Sequence, residues 1–243
     1  METLRPFFTY FGAKYRIAPK YPAPCYSTIV EPFAGAAGYS LRHYQRNVIL
    51  VERNPVMAGL WRYLVGVTEA EIRSLPLKVD CIDDLSCCDE AKWLIGFWLN
   101  KATTGPRRTP SKWMRDGIRP KSFWGPEIRE RVALQVGSIR HWQVIDGSYE
   151  RLPDIEATWF CDPPYQVAGR FYPCGSRDID YGALAEWCQA RKGQVIVCEA
   201  EGADWLPFRP FMLAKSNSGP RGKGYSKEVL WTQEPAVPIR DAL

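Results

Sequence analysis

Four consecutive residues, Asp162-Pro163-Pro164-Tyr165, follow the apolar run at 159–161 and have the side chains and backbone needed to hold an exocyclic amine. Asp162 can accept one amine hydrogen. A backbone carbonyl beside the prolines can accept the second, because proline brings an acceptor without a competing N–H. Tyr165 offers an aromatic face on which a base can stack. The tetrapeptide therefore predicts methyl transfer to a nucleobase turned out of its helix.

The simpler interpretation of the same residues is a proline-rich turn after a strand, since Asp often opens turns. Their position favours a functional site. Residues 157–161 are predicted to form a short buried strand, and groups that act on ligands in open α/β sheets lie at the carboxyl ends of strands.

A second motif lies upstream, where a strand beginning at Thr28 runs into a turn that contains Gly35 and Gly38. Glycine lets the backbone approach a ligand closely. The alternative is that these glycines only make a tight turn. We expect a helix over 39–46 after the turn.

A second strand, predicted over 48–51, is followed by Glu52, about twenty residues after the turn begins, where a carboxylate can bind both hydroxyls of a ribose. The dinucleotide-binding fingerprint is incomplete, because Phe33 occupies its first glycine position. Without a pyrophosphate to hold, S-adenosylmethionine suits the site better than a nicotinamide dinucleotide.

Five motifs in this order resemble those of a known family. They are Phe8-Thr9-Tyr10-Phe11-Gly12-Ala13-Lys14-Tyr15, Glu31-Pro32-Phe33-Ala34-Gly35, Glu52-Arg53-Asn54, Asp146-Gly147-Ser148 and Asp162-Pro163-Pro164-Tyr165. Over nearly its whole length the chain resembles the Dam-like DNA adenine methyltransferases, especially the short phage and prophage forms. Several ordered motifs are far more specific than one.

The resemblance implies an α/β fold, a Rossmann-like S-adenosylmethionine-dependent methyltransferase sheet with a smaller helical and loop-rich DNA-recognition insertion. It implies Asp162, Pro163, Pro164 and Tyr165 as the catalytic motif. It places Tyr10 and Lys14 against the cofactor, Glu52 on the ribose and Asp146 at the cofactor's adenine. The full cofactor-binding prediction is Tyr10, Lys14, Glu31, Pro32, Phe33, Gly35, Gly38, Glu52, Asp146 and Asp162.

Two positions depart from the family pattern. Tyr10 stands where Trp is frequent, and Glu52 stands where Asp is common, but both keep an aromatic face or a carboxylate. Taken alone, Lys14 would be a solvated surface lysine and Asp146 a loop carboxylate that caps a turn.

Positive charge is concentrated between Lys101 and Arg131, where nine basic residues accompany three acidic ones, although the whole chain is only +5. Trp113, Phe123 and Trp124 are interleaved with these charges, and residues 103–110 argue against regular structure. The segment predicts DNA recognition. The alternative is a solvated basic loop whose tryptophans pack into the core.

A second basic, glycine-rich segment at 215–225 lies between predicted strands at 211–214 and 228–231. It is expected to be a mobile hairpin loop, either facing DNA or simply exposed. The DNA-binding prediction comprises Lys101, Arg107, Arg108, Lys112, Arg115, Arg119, Lys121, Arg221 and Lys223.

The chain is long enough for one α/β domain with an insertion, and we assign 1–68 and 141–243 to the catalytic domain and 69–140 to target recognition. A crossover helix is predicted over 184–191 and a buried strand over 194–198. Because the eight cysteines show no paired C-x-x-C spacing and there are only two histidines, no metal site is expected. No membrane-spanning stretch or signal sequence is recognisable, so we expect a cytoplasmic protein of a bacterial or phage-infected cell, monomeric or weakly dimeric.

The predicted activity is site-specific methylation of the adenine 6-amino group in double-stranded DNA, as in restriction-modification, by base flipping and direct in-line transfer. The alternatives are RNA adenine or DNA cytosine-N4 methylation, or a catalytically silent DNA-binding phage factor.

Overall fold

The structure, a computed structural model, describes residues 3–101, 103–167, 169, 172–216 and 224–234, and its centre is a seven-stranded sheet. The strands are β1 Thr28–Glu31, β2 Asn47–Glu52, β3 Gln143–Asp146, β4 Ala157–Cys161, β5 Gly193–Ala200, β6 Arg209–Ser216 and β7 Gly224–Gln233, in the spatial order β3-β2-β1-β4-β5-β7-β6. The predicted strand at 157–161 is confirmed with its bounds. Those at 48–51, 194–198, 211–214 and 228–231 are confirmed and extend further.

The first five strands run parallel, whereas β7 is antiparallel to both β5 and β6. With the surrounding helices this makes a mixed α/β fold. From β1 the sheet extends to β2 and β3 on one side and to β4 on the other. The carboxyl ends of β1 and β4 therefore flank a crevice, the place where open α/β sheets bind ligands.

Both faces of the central strands are covered, because successive side chains point to opposite sides of the sheet. Ile29 and Phe160 belong to a core on one face, and Val30 and Trp159 belong to a core on the other. This explains why all five residues of β4 are buried.

Six α-helices are present in the described residues: α1 Pro55–Gly66, α2 Glu69–Ser74, α3 Asp89–Trp98, α4 Lys112–Arg115, α5 Pro126–Val136 and α6 Tyr181–Gln189. Local caps set several of these helix starts. Asn54 accepts the Val56 N–H at α1, and Asp180 accepts the Ala183 N–H at α6. The predicted crossover helix at 184–191 is confirmed as α6, which begins three residues earlier.

The prediction of a helix over 39–46 is wrong. Only Ser40–Arg42 is helical, as a single 3₁₀ turn. Arg42 and His43 donate to the carbonyls three residues before them, which is the tighter hydrogen-bond pattern used in short pieces. After Arg42 the chain turns again, with the Arg46 N–H donating to the His43 carbonyl, and it enters β2 at Asn47.

The four helices α2 to α5 lie between residues 69 and 140. Buried residues of α2, α3 and α5 share one hydrophobic core with α1 and with one face of the sheet. Residues 103–111 have no regular structure, as predicted. The division at 69 and 140 into two functional parts stays a prediction. No helix in the described part of the chain is long and apolar enough to cross a membrane.

Candidate functional site

The tetrapeptide at 162–165 begins directly after β4 and is tied to two other elements. The Tyr165 hydroxyl donates to Glu228 Oε2 on β7, and the Tyr181 hydroxyl at the start of α6 donates to the Pro164 carbonyl at 2.5 Å. These bonds fix the aromatic ring and one of the two proline carbonyls.

The residues after the tetrapeptide are fixed as well. Glu199, buried near the end of β5, accepts the Gln166 N–H at 2.6 Å and the Trp205 indole N–H at 3.2 Å. Gly169 donates its N–H to the Tyr165 carbonyl at 2.6 Å. A Cβ on Gly169 would lie 2.6 Å from the Pro164 carbonyl carbon, so this position requires glycine. The backbone at Gln166 and Gly169 is thus held against β5 and the tetrapeptide.

Lys14 brings a positive charge to the tetrapeptide. Its Nζ lies 2.9 Å from Asp162 Oδ1 and 4.6 Å from the centroid of the Tyr165 ring. The contact with Asp162 is an ion pair whose angles fall outside hydrogen-bond geometry. Lys14 therefore covers one face of the ring on which a base was expected to stack.

Burial opposes the charged forms of both partners. It raises the pKa of Asp162 overall, although Lys14 pulls in the other direction. Burial by itself would lower the pKa of Lys14, but the carboxylates of Asp162 and then Glu228 raise it overall. The ammonium of Lys14 is thus the charge that favours an ionised Asp162.

The N-terminal segment that carries Lys14 is held against the glycine turn. A Cβ on Gly38 would lie 2.5 Å from the backbone N of Tyr15. The predicted close approach at Gly38 is therefore made by the protein's own backbone. On the other side, Thr9 Oγ1 donates to the Phe97 carbonyl at 2.5 Å, and the Phe11 N–H donates to the Thr103 carbonyl at 3.1 Å.

Glu52, the last residue of β2, organises the turn after β1. Its Oε2 accepts the Gly35 N–H at 3.1 Å, and its Oε1 accepts the Asn54 N–H at 3.0 Å. Gly35 has φ of +47°, which favours glycine. Burial raises the pKa of Glu52 although these backbone donors act against it. Tyr10 lies beside this group, and burial followed by the Glu52 carboxylate raises its pKa.

Glu31 ends β1 and points into the interior. It is buried, and its Oε1 accepts the Ser40 N–H at 2.7 Å. Burial raises the pKa of Glu31 to about 8, against the effect of the Ser40 bond, so the carboxyl is mainly protonated at neutral pH.

A small cavity of about 60 Å³ lies at the ends of β1 to β3. Pro32 and Phe33 line it as predicted cofactor residues, together with Arg53, Gly147, Ser148, Tyr149, Glu150, Pro164, Cys174, Asp178, Ile179 and Asp180. Asp146 lies at the end of β3, where it pairs with Arg62 at 3.3 Å. The predicted cofactor residues thus lie around the carboxyl ends of β1 to β4.

The predicted DNA-binding residues do not join this cluster. Several have partners of their own: Arg108 pairs with Asp83, Lys112 pairs with Asp116, Lys121 lies 3.8 Å from Glu127, and Arg115 donates to the Pro110 carbonyl. Arg107 and Arg119 are exposed, and Lys101 lies over Trp98. Arg221 and Lys223 lie outside the described residues.

The aromatic residues of the basic segment divide between the two interpretations. Phe123 and Trp124 are buried, as the packing alternative expects, whereas Trp113 is 61 % exposed. Only Trp113 of the three therefore remains available for contact with a partner.

Glu228, Glu199 and Tyr181 were missed from the sequence as site residues. Two of them carried a signal, because Glu199 directly follows a predicted buried strand and Glu228 begins the last predicted strand. A carboxylate at such a position needs a partner when it is buried. Their partners in the tetrapeptide loop could be found only from the fold.

Among the described residues, no group of three or more His, Cys, Asp or Glu side chains is placed to hold a metal ion. No protein-family model matches the chain, and a search of curated proteins also finds no match. The site geometry and the sequence motifs therefore carry the functional argument.

Proposed function

We propose that this chain is an S-adenosylmethionine-dependent methyltransferase that modifies the exocyclic 6-amino group of adenine in double-stranded DNA, as its resemblance to the Dam-like family implies. In this proposal the sheet is a Rossmann-like methyltransferase sheet, and residues 69–140 form the recognition insertion. The order β3-β2-β1-β4-β5 supports it, because doubly wound nucleotide-binding sheets have this order.

One observation carries the proposal. Lys14, Asp162 and Tyr165 meet at the end of β4, across the β1 to β4 crevice from Glu52. These groups can bind a base and a nucleoside cofactor together, because they include an aromatic ring, an ammonium and two carboxylates. The bland alternative, a proline turn with a capping Asp, would not place Lys14 in the interior.

The residues present fit the cofactor. Each Glu52 oxygen accepts one backbone bond, which leaves lone pairs for ribose hydroxyls. Phe33, Tyr149 and Ile179 give the cavity apolar walls suited to an adenine ring. When bound, S-adenosylmethionine supplies the methyl group and a sulfonium leaving group. Ligand pockets usually measure about 300–1,000 Å³. The cavity of about 60 Å³ must therefore widen to admit the whole cofactor.

Two acceptors position the target amine. Asp162 accepts one hydrogen through its carboxylate, and a proline carbonyl accepts the other. Since the Pro164 carbonyl already accepts the Tyr181 hydroxyl, we assign the second role to the Pro163 carbonyl. Two hydrogen bonds in fixed directions turn the nitrogen lone pair toward the methyl donor, so positioning carries most of the catalysis. Asp162 serves as an acceptor, and the amine loses its proton readily after it has gained the methyl group.

The test is transfer of labelled methyl from S-adenosylmethionine to unmethylated duplex DNA, with nucleoside mass spectrometry of the product. We expect 6-methyladenine with the natural chain and its loss in Asp162→Ala. The matched control is Asp84→Ala, which removes an exposed carboxylate that forms no ion pair among the described residues. Full methylation by Asp162→Ala would refute the catalytic assignment.

The same product analysis separates the alternatives. Methylated cytosine would move the assignment to the 4-amino group. Methylation of RNA alone would exclude DNA as the substrate. Cofactor binding without any methylated nucleoside would indicate a silent DNA-binding protein.

A further inference from the structure

Two basic residues from separate parts of the chain lie against one tryptophan ring. Lys101 Nζ lies 5.2 Å and the Arg131 guanidinium carbon 5.1 Å from the centroid of the Trp98 ring, so two cations share this ring. Lys101 Nζ also lies 5.4 Å from the Phe123 ring. Cations lie favourably over aromatic faces. The rings therefore hold these two charges in place.

Two further arginines come from the N-terminal segment. The backbone of Arg5 exchanges hydrogen bonds with the Gln135 side chain, at 2.7 and 3.2 Å, which ties it to the helix that carries Arg131. Arg16 is exposed and ends the 3₁₀ turn that begins at Lys14. We call Arg5, Arg16, Lys101 and Arg131 the basic cluster.

The basic cluster lacks negative partners among the residues that the structure describes. Within the described part of the chain none of its four members forms an ion pair. Arg131 donates through Nη2 to the Pro6 carbonyl at 3.2 Å, while its buried Nε has no hydrogen-bond partner among those residues. An arginine with five donors and one acceptor is only partly satisfied.

Like charges act on one another in this cluster. The pKa of Lys101 is lowered by burial and then by Arg131 and Arg16. The pKa of Arg131 is lowered by burial and then by Arg5. Assembling these cations costs free energy, and a bound anion would offset that cost.

We propose that the basic cluster is a binding site for a phosphodiester group of duplex DNA. The identification of the ligand as DNA rests on the proposed function. The four charges suit a phosphate, which lysine and arginine bind through charge-assisted hydrogen bonds. Thr9 donates to the Phe97 and Asn100 carbonyls and Phe11 donates to the Thr103 carbonyl, so the N-terminal segment is tied to the chain on both sides of Lys101. The site therefore connects the backbone contact to the segment that carries Lys14.

The test uses Lys101→Met, which keeps the aliphatic stem over Trp98, and Arg16→Gln, which changes an exposed side chain and leaves folding intact. Their matched control is Lys192→Gln, which removes one exposed charge before β5, at the opposite end of the parallel strands. Binding of a short duplex is measured without cofactor over a range of salt concentrations. In parallel, the thermal unfolding shift caused by inorganic phosphate alone is measured.

For each cluster variant we expect the slope of log affinity against log salt to fall by about one, equally for all DNA sequences, because one phosphate contact is lost. The phosphate-induced thermal shift is expected to shrink in the same variants. The control should keep both. Unchanged salt slopes in both variants would overturn the site.

The outcomes also distinguish duplex DNA from other sources of phosphate, and the phosphate site from the proposed methyltransferase function. A phosphate shift that needs the cluster, together with duplex binding that does not, would overturn the DNA assignment. Tighter cluster-dependent binding of RNA would overturn it too. If the salt slopes fall as expected while no DNA is ever methylated, the phosphate site stands and the proposed methyltransferase function fails.

Discussion

The Tyr165 hydroxyl donates to Glu228 on β7, so the last residue of the tetrapeptide is fixed from a strand that lies more than sixty residues later in the chain. The same carboxylate contributes to raising the pKa of Lys14, which in turn pairs with Asp162. In our proposal Asp162 and Tyr165 meet the base, and Glu228 is therefore a positioning residue for both. Its effect is exerted through Tyr165 and Lys14.

Tyr165→Phe should lower the free energy of unfolding by about 1–3 kcal/mol, because it leaves the buried Glu228 carboxylate without its donor. Glu228→Gln keeps an acceptor oxygen and should cost less than Glu228→Ala. Urea unfolding of the single and double variants gives the coupling energy. We expect Tyr165 and Glu228 to couple by about 0.5–3 kcal/mol. Additive effects would show that the hydrogen bond contributes nothing.

Gly38→Ala should weaken both stability and cofactor binding. The added Cβ would lie 2.5 Å from the Tyr15 backbone, and backbone cannot move aside as a flexible side chain can. The segment that carries Lys14 would have to shift. Gly66→Ala is the control, since a Cβ there meets nothing within 4 Å and alanine suits the end of α1. The free energy of unfolding of the control should increase by about 0.5–1 kcal/mol.

Calorimetric titration with S-adenosylmethionine and urea unfolding measure the two effects of Gly38→Ala. Cofactor affinity within twofold of the natural chain, at unchanged stability, would show that the close approach at Gly38 does not matter.

Much of the sheet was predictable because its strands are short apolar runs bounded by turn residues, as at 157–161 and 194–198. The order of motifs placed Lys14, Glu52 and Asp162 in one hypothesis, and the fold brings Lys14 into contact with Asp162. The helix expected at 39–46 is only a 3₁₀ turn at Ser40–Arg42 followed by a second turn, and the sequence of this short segment does not distinguish such tight turns from a helix. Glu228 and Tyr181 could not be assigned, since their partners are chosen by strand and helix packing between distant segments.

Tyr181→Phe tests which proline carbonyl is free for the amine. Without the tyrosine hydroxyl, the Pro164 carbonyl loses its donor and can compete for the target amine. We expect stability to fall by about 0.5–1.5 kcal/mol. The rate of methyl transfer at saturating DNA should fall more than the affinity for DNA, because the bound amine is then misdirected. Single-turnover rates measure the transfer step, and Tyr26→Phe, just before β1 at the opposite end of the parallel strands, is the control. An unchanged transfer rate would remove Tyr181 from the positioning scheme.

Glu31 should make stability depend on pH. Its folded pKa of about 8 lies above its ordinary value of 4.5, so the folded state keeps a proton that the unfolded state has lost. The stabilisation is therefore complete below pH 4.5 and is lost as the pH rises to about 8, by up to about 1.4 kcal/mol per pH unit. Glu31→Gln keeps an acceptor for the Ser40 N–H and does not titrate. Relative to the natural chain, the free energy of unfolding of this variant should increase by about 1–3 kcal/mol from mildly acidic to mildly alkaline pH, as measured by urea unfolding. Glu186→Gln, on the exposed face of α6, should show no such gain. A constant difference between Glu31→Gln and the natural chain across this range would mean that Glu31 is ionised in the folded protein.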